Sequence, residues 1–106
     1  MNSWRETEED KRKQRRLFEV FAKHKGMNFK EFSSKSGKYR IDGFLYNHNN
    51  TITAWVECKW YSGKAHLYLN VAKYNELISL SNISDAPSYL LFREGNRWGF
   101  VKNAGS

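Results

Sequence analysis

Two runs rich in β-branched and aromatic residues, 38–46 and 51–60, flank a short polar break, Asn47-His-Asn-Asn50. That pattern predicts a β-hairpin, and a hairpin fixes which side chains meet. Glu57 and Lys59 stand two apart in the second run, so they point to one face and Cys58 to the other. Pairing Tyr46 with Thr51 across the break puts Asp42 opposite Trp55. Asp42, Glu57 and Lys59 then form one polar cluster, with Asp42 diagonal to Glu57. The other parity, Ile52, Ala54, Val56 and Cys58, is apolar or small and is expected to face the core. A slip of one residue would separate the carboxylates, so the cluster depends on register.

Two carboxylates and an ammonium on one sheet face are hard to explain as stability. Paired carboxylates repel unless a cation joins them. Oxygen donors suit a hard cation such as Mg²⁺, commonly held by one or two carboxylates with phosphate and water completing the shell. A lysine beside such an ion can orient a water and offset charge building on a phosphate. The competing reading is a solvated hairpin face with Lys59 paired to Glu57 or Asp42. On spacing alone the two stand level.

Asp42 followed, a hairpin later, by Glu57-Cys58-Lys59 resembles the PD-(D/E)XK nuclease superfamily. The proline that often precedes the Asp is replaced by Ile41. The resemblance implies a restriction-endonuclease-like α/β (α+β) fold, an αβββαβ core with a mixed central sheet flanked by helices. It further implies a metal-dependent DNA nuclease. Asp42, Glu57 and the backbone carbonyl of Cys58 would hold Mg²⁺ (or Mn²⁺), and Lys59 would position and activate the attacking water. Archaeal Holliday-junction resolvases within the superfamily add a Glu from the first helix. Here the nearest candidate, Glu19, falls opposite the expected buried face, and resolvase-like spacing lands near Arg15, so that carboxylate is not carried over.

The remaining elements follow in the order the resemblance requires. Residues 5–25 predict a helix with acids at its start, Lys23, His24 and Lys25 at its end and Gly26 as a stop. Leu17, Val20, Phe21 and His24 mark its buried face, with Phe18 at the margin. Its basic block, Lys11, Arg12, Lys13, Arg15 and Arg16, reads equally well as a solvated face or a phosphate-contacting surface. Residues 27–32 suggest a short strand, and 33–38 a loop into the Asp42 strand. Residues 65–80 predict a second helix, with Leu69, Ala72, Lys73, Glu76, Leu77 and Leu80 at three-four spacing. Residues 81–87 form a breaker-rich loop. Residues 88–92 and 97–101 make a second hairpin, the first of these strands central.

Asn70 and Tyr74 are adjacent on one side of the second helix. They resemble the Gln-x-x-x-Tyr element of RecB-type nucleases, with Asn in the Gln position. The ordinary reading is a boundary pair between core and solvent. Candidate nucleic-acid contacts are therefore Lys38, Arg40, Asn70, Lys73 and Tyr74.

The sequence of 106 residues predicts one domain, with 103–106 as a flexible tail. A net charge of +7 suggests a polyanionic partner, most simply DNA, duplex or branched, with RNA as the alternative. At this size specificity would come from DNA shape, an end or a junction, or from a partner. Cys58 is the lone cysteine, which fits a reducing cytoplasm and reads as a small buried hydrophobe. Neither a signal peptide nor a membrane span is indicated. Two-strand cutting would call for a homodimer, for which the edge of the second hairpin is a candidate. Two other functions compete: a catalytically silent nucleic-acid-binding module of the same fold, and a domain using Trp4, Tyr61 and Trp98 to stack on RNA or contact protein.

Overall fold

A computed structural model describes residues 8–32, 41–61, 71–94 and 97–103. The elements are α1 (Glu8–Lys25), β1 (Asn28–Glu31), β2 (Gly43–Tyr46), β3 (Ile52–Tyr61), α2 (Val71–Ser84), β4 (Ser88–Glu94) and β5 (Arg97–Asn103). The five strands form one sheet in the order β1-β2-β3-β4-β5. All neighbours are antiparallel except β3 and β4, whose parallel pairing is made possible by α2 crossing between them. The protein is thus α+β, with the αβββαβ order expected above and a further strand at the edge.

Both faces of the sheet are covered. On one face Leu17, Phe18, Phe21 and Ala22 of α1 pack with Leu45, Ala54, Val56, Cys58, Tyr89 and Leu91. On the other, Leu77 of α2 packs with Ile41, Trp55 and Ala86. The sequence expectation that Ala54, Val56 and Cys58 face a core is met. The opposite parity is no solvated face, however, since α2 covers it and both Trp55 and Glu57 are buried. Period-two alternation cannot distinguish a polar face from a second buried one that carries a functional charge.

In α1, Phe18 is fully buried, not marginal, while Val20 and His24 are exposed. The buried stripe runs through Gln14, Leu17, Phe18, Phe21 and Ala22, rotated toward Phe18 from the expected Leu17/Val20/His24 line. The helix stops as the sequence predicts. Gly26 takes a φ of 68°, its N–H donates to the Lys23 carbonyl and the Met27 N–H to that of Ala22. Those two bonds are the Schellman arrangement.

The α2 helix runs to Ser84, four residues past its expected end at Leu80. Two of its serines turn inward. Ser81 Oγ donates to the Ala86 carbonyl at 2.6 Å, and Ser84 Oγ donates to the Leu80 carbonyl while accepting the Trp55 indole N–H at 2.7 Å. Asp85, at φ 60°, ends the helix by donating its N–H to the Ser81 carbonyl.

The β2–β3 hairpin departs from the simplest pairing. Asn47 Oδ1 accepts the N–H groups of Asn49 and Thr51, and Asn50 sits at φ 62°. A bulge at Leu45/Tyr46 then moves the register, so Phe44, not Asp42, lies opposite Trp55. Relative to the expected pairing the strands shift by two residues beyond the bulge, which preserves side-chain parity.

Candidate active site

Residues on β3 alternate between its two neighbours. The Trp55 N–H donates to Pro87, on the β4 side, while the Val56 carbonyl accepts the Asp42 N–H at 3.2 Å, on the β2 side. The Cys58 N–H therefore points toward β2, and there it donates to Asp42 Oδ2 at 2.7 Å. Asp42, just ahead of β2, is anchored from both edges, since its own carbonyl accepts the Phe32 N–H at 2.8 Å. Its carboxylate is thus fixed against the peptide that joins Glu57 to Cys58. A strand residue directs its N–H and C=O to the same edge, so the Cys58 carbonyl turns to the Asp42 side as well. The Cys58 thiol points away, into the α1 core, as a buried hydrophobe.

Glu57 is fully buried, on the same face as Trp55. The Lys59 ammonium lies 3.7 Å from Glu57 Oε2, and its side chain is 30% exposed. One end of the cluster is therefore dry and the other opens to solvent. The observed register, with Gly43 opposite Val56, brings Asp42 across from Glu57 rather than diagonal to it. Glu57 and Lys59 lie within the β3–β4 pairing, opposite Leu90 and Phe92, and the Asp42 carboxylate is tied to the amide of Cys58 between them.

The donor set can be weighed against a divalent cation. Two carboxylates and a peptide carbonyl are hard oxygen donors, with neither thiolate nor imidazole among them. Among the described residues no group of three or more His, Cys, Asp or Glu side chains is placed to hold a metal ion. Oxygen donors of this kind are the ones Mg²⁺ or Mn²⁺ takes, with water and phosphate completing the shell. A fully buried carboxylate is also costly for a fold to retain without a task.

Other expected contacts are placed less closely. Tyr74 is exposed on α2. Lys38, Arg40 and Asn70, with the side chain of Lys73, lie outside the described residues, as do Trp4, the side chain of Tyr61 and the tail residues 104–106. Trp98 is partly exposed on β5, against His24 and Phe100. Glu19 is exposed on α1.

A feature not anticipated from the sequence lies close to Asp42 along the backbone, on the α1 face of the sheet. Glu31 ends β1 opposite Gly43, one residue from Asp42. Its carboxylate accepts the Gln14 amide at 3.0 Å and pairs with Arg15 Nε at 3.2 Å; Arg15 is 65% exposed and Glu31 only 16%. With Nε engaged, the guanidinium is held in one attitude and its Nη groups are the donors available to a phosphate. The signal was present in Gln14, a lone amide at three-four spacing with Leu17, Phe18 and Phe21, since a buried amide requires a partner.

A solved structure shares this fold. Archaeoglobus fulgidus Hjc, a Holliday junction resolvase from an archaeal hyperthermophile, aligns with a TM-score of 0.66 and 21% identity over 85% of this chain and 72% of that one. The chain shares its fold with that resolvase. At this identity the likeness establishes the fold. No family model matches the sequence, and no curated protein matches it. No helix among the described residues is long and apolar enough to cross a membrane.

Proposed function

We propose that this protein is a divalent-metal-dependent DNA nuclease of the PD-(D/E)XK superfamily, acting on branched or junction DNA. The observation that carries the reading is the fully buried Glu57 carboxylate, paired with the ammonium of Lys59, on a strand whose next amide, that of Cys58, anchors the carboxylate of Asp42. The shared fold with a resolvase supports it.

In this reading Asp42, Glu57 and the Cys58 carbonyl hold Mg²⁺ or Mn²⁺, which when bound supplies charge stabilisation at the phosphate and an acidified water. The chain's own residues do the rest. The Asp42 carboxylate is aligned by the Cys58 N–H before any ion arrives, so little reorganisation is needed. Lys59, half in solvent, orients the attacking water and offsets charge on the phosphoryl oxygens. Water gives up a proton to solvent as its oxygen bonds to phosphorus, one P–O ester bond breaks, and the departing oxygen takes a proton from solvent. The buried setting of Glu57 keeps these interactions strong.

The deciding assay incubates the protein with labelled single-stranded, duplex and four-way-junction DNA, with Mg²⁺, Mn²⁺ or EDTA. Metal-dependent cutting is expected, strongest on the junction, and about 10²-fold or more slower in Asp42→Asn and Lys59→Met. Cutting undiminished in both variants refutes these roles. The Lys59–Glu57 ion pair favours one other reading, a silent binding module in which the pair only balances a buried charge. Salt-sensitive DNA binding without cleavage under either metal would establish it.

A further inference from the structure

A second cluster of positive charge lies at the same end of the sheet, on its other face. Arg12, Lys13 and Arg16 of α1 and Arg93 of β4 line a shallow concavity of about 450 Å³, with Glu9 the acidic member among the described residues. Among those residues four cations accompany one carboxylate, which makes an exposed contact of 3.9 Å to Lys13. Arg12, Lys13 and Arg16 are exposed, and Arg93 is half-buried. The space exceeds one phosphate group.

Its position follows from the strand register. Trp60 is paired with Arg93 and Lys59 with Phe92, so the backbones of Lys59 and Arg93 are neighbours on a diagonal of roughly 6 Å. Their side chains diverge. Arg93 shares parity with Tyr89 and Leu91, on the α1 face, whereas Lys59 shares parity with Trp55, on the α2 face. A phosphate on Lys59 and phosphates in the Arg93 cleft are therefore separated by the thickness of the sheet and its side chains, on the order of 10 Å. That approaches the roughly 12 Å between backbones across a major groove and is more than one phosphate step along a single strand.

We propose that the cleft of Arg12, Lys13, Arg16 and Arg93 is a second phosphate-binding site, and that the ligand is a nucleic acid with two backbones, one on each side of the sheet end. This rests on the nuclease reading for the role of the first site. One strand lies over Asp42, Glu57 and Lys59, and its partner strand, or the next arm of a junction, lies along α1. The class of substrate selected is duplex or branched nucleic acid rather than an isolated strand.

The test is binding in EDTA, where nothing is cut. Fluorescence anisotropy is measured with a labelled duplex, a four-way junction and a single strand of equal length, over a salt series. The wild type is compared with Arg12→Ala/Arg16→Ala and with Arg93→Gln, and unfolding midpoints confirm that each is folded. The double variant is expected to bind duplex and junction about 10-fold or more weakly, with the slope of log affinity against log salt shallower by about 2. Single-strand binding should change far less. Unchanged duplex affinity and slope in the folded variants overturns the proposal, as does an equal loss on the single strand. The outcome is separable from the nuclease reading: binding through the cleft without metal-dependent cleavage defeats that reading alone, and normal cleavage by unaltered binders among the variants defeats the cleft alone.

Discussion

The two charges at Glu57 and Lys59 are unequally placed, one fully buried and one 30% exposed. Removing the ammonium leaves a buried carboxylate without that partner, whereas removing the carboxylate's charge relieves its desolvation. Lys59→Met should therefore destabilise the fold, by up to about 3 kcal/mol, while Glu57→Gln should be neutral or stabilising yet inactive. Urea denaturation of both single variants and the double variant gives the coupling directly, and Glu57→Gln as the less stable of the two would contradict the argument. Gly43 is constrained differently. A Cβ there would meet the Lys30 carbonyl oxygen and lie 2.9 Å from the Phe18 ring, so Gly43→Ala should cost about 3 kcal/mol by overpacking. A variant with wild-type stability would show that β1 can move aside. At this scale the Asp42, Glu57 and Lys59 set was legible because chemistry restricts which residues can do such work. The Gln14–Glu31–Arg15 network was legible only as a buried amide in need of a partner, because Glu31 stands 17 residues from Gln14 and only tertiary packing joins them.

Elements were legible as far as local signals reach. Alternation marked β2 and β3, Gly26 marked the end of α1, and the breaker-rich segment after Leu80 suggested that α2 had ended. That last signal misled because Ser81 and Ser84 bond to backbone carbonyls and to Trp55, so serines that would favour a turn sit inside a helix. The register was half legible. Its parity came from alternation, but the bulge at Leu45/Tyr46 has no local signature strong enough to reveal a two-residue shift. Asn47 carries that hairpin through two hydrogen bonds of its side chain. Asn47→Ala should lower stability by about 1 kcal/mol or more and, if the hairpin frays, reduce cleavage as well, as read by thermal unfolding and the junction assay. Asp85 at φ 60° is strained as a non-glycine residue. Asp85→Gly should leave stability unchanged or raise it by up to about 1 kcal/mol, and a clear loss would mean that its side chain holds α2 in a way the backbone does not show.

Across the whole molecule, the described helices cover the sheet on both faces, and strands β1 and β5 are its edges among the described residues. Strand β5 lies at one edge and exposes Trp98, Phe100 and Val101. The homodimer expected for two-strand cutting would place a second copy there, and sedimentation should then show a concentration-dependent dimer that Val101→Lys weakens; a monomer at high concentration would set that arrangement aside. Positive charge gathers at the other feature of the fold, the end of the parallel pair, where the Arg93 cleft backs onto the carboxylates. The bond from the Cys58 amide to Asp42 has a practical corollary. That single proton belongs to the backbone of one acid's strand and rests on the oxygen of the other, so its nuclear magnetic resonance is a built-in indicator of the pair. Titrating an ion into uncut protein should move the residue 58 signal ahead of its neighbours, giving a readout of loading that needs no substrate.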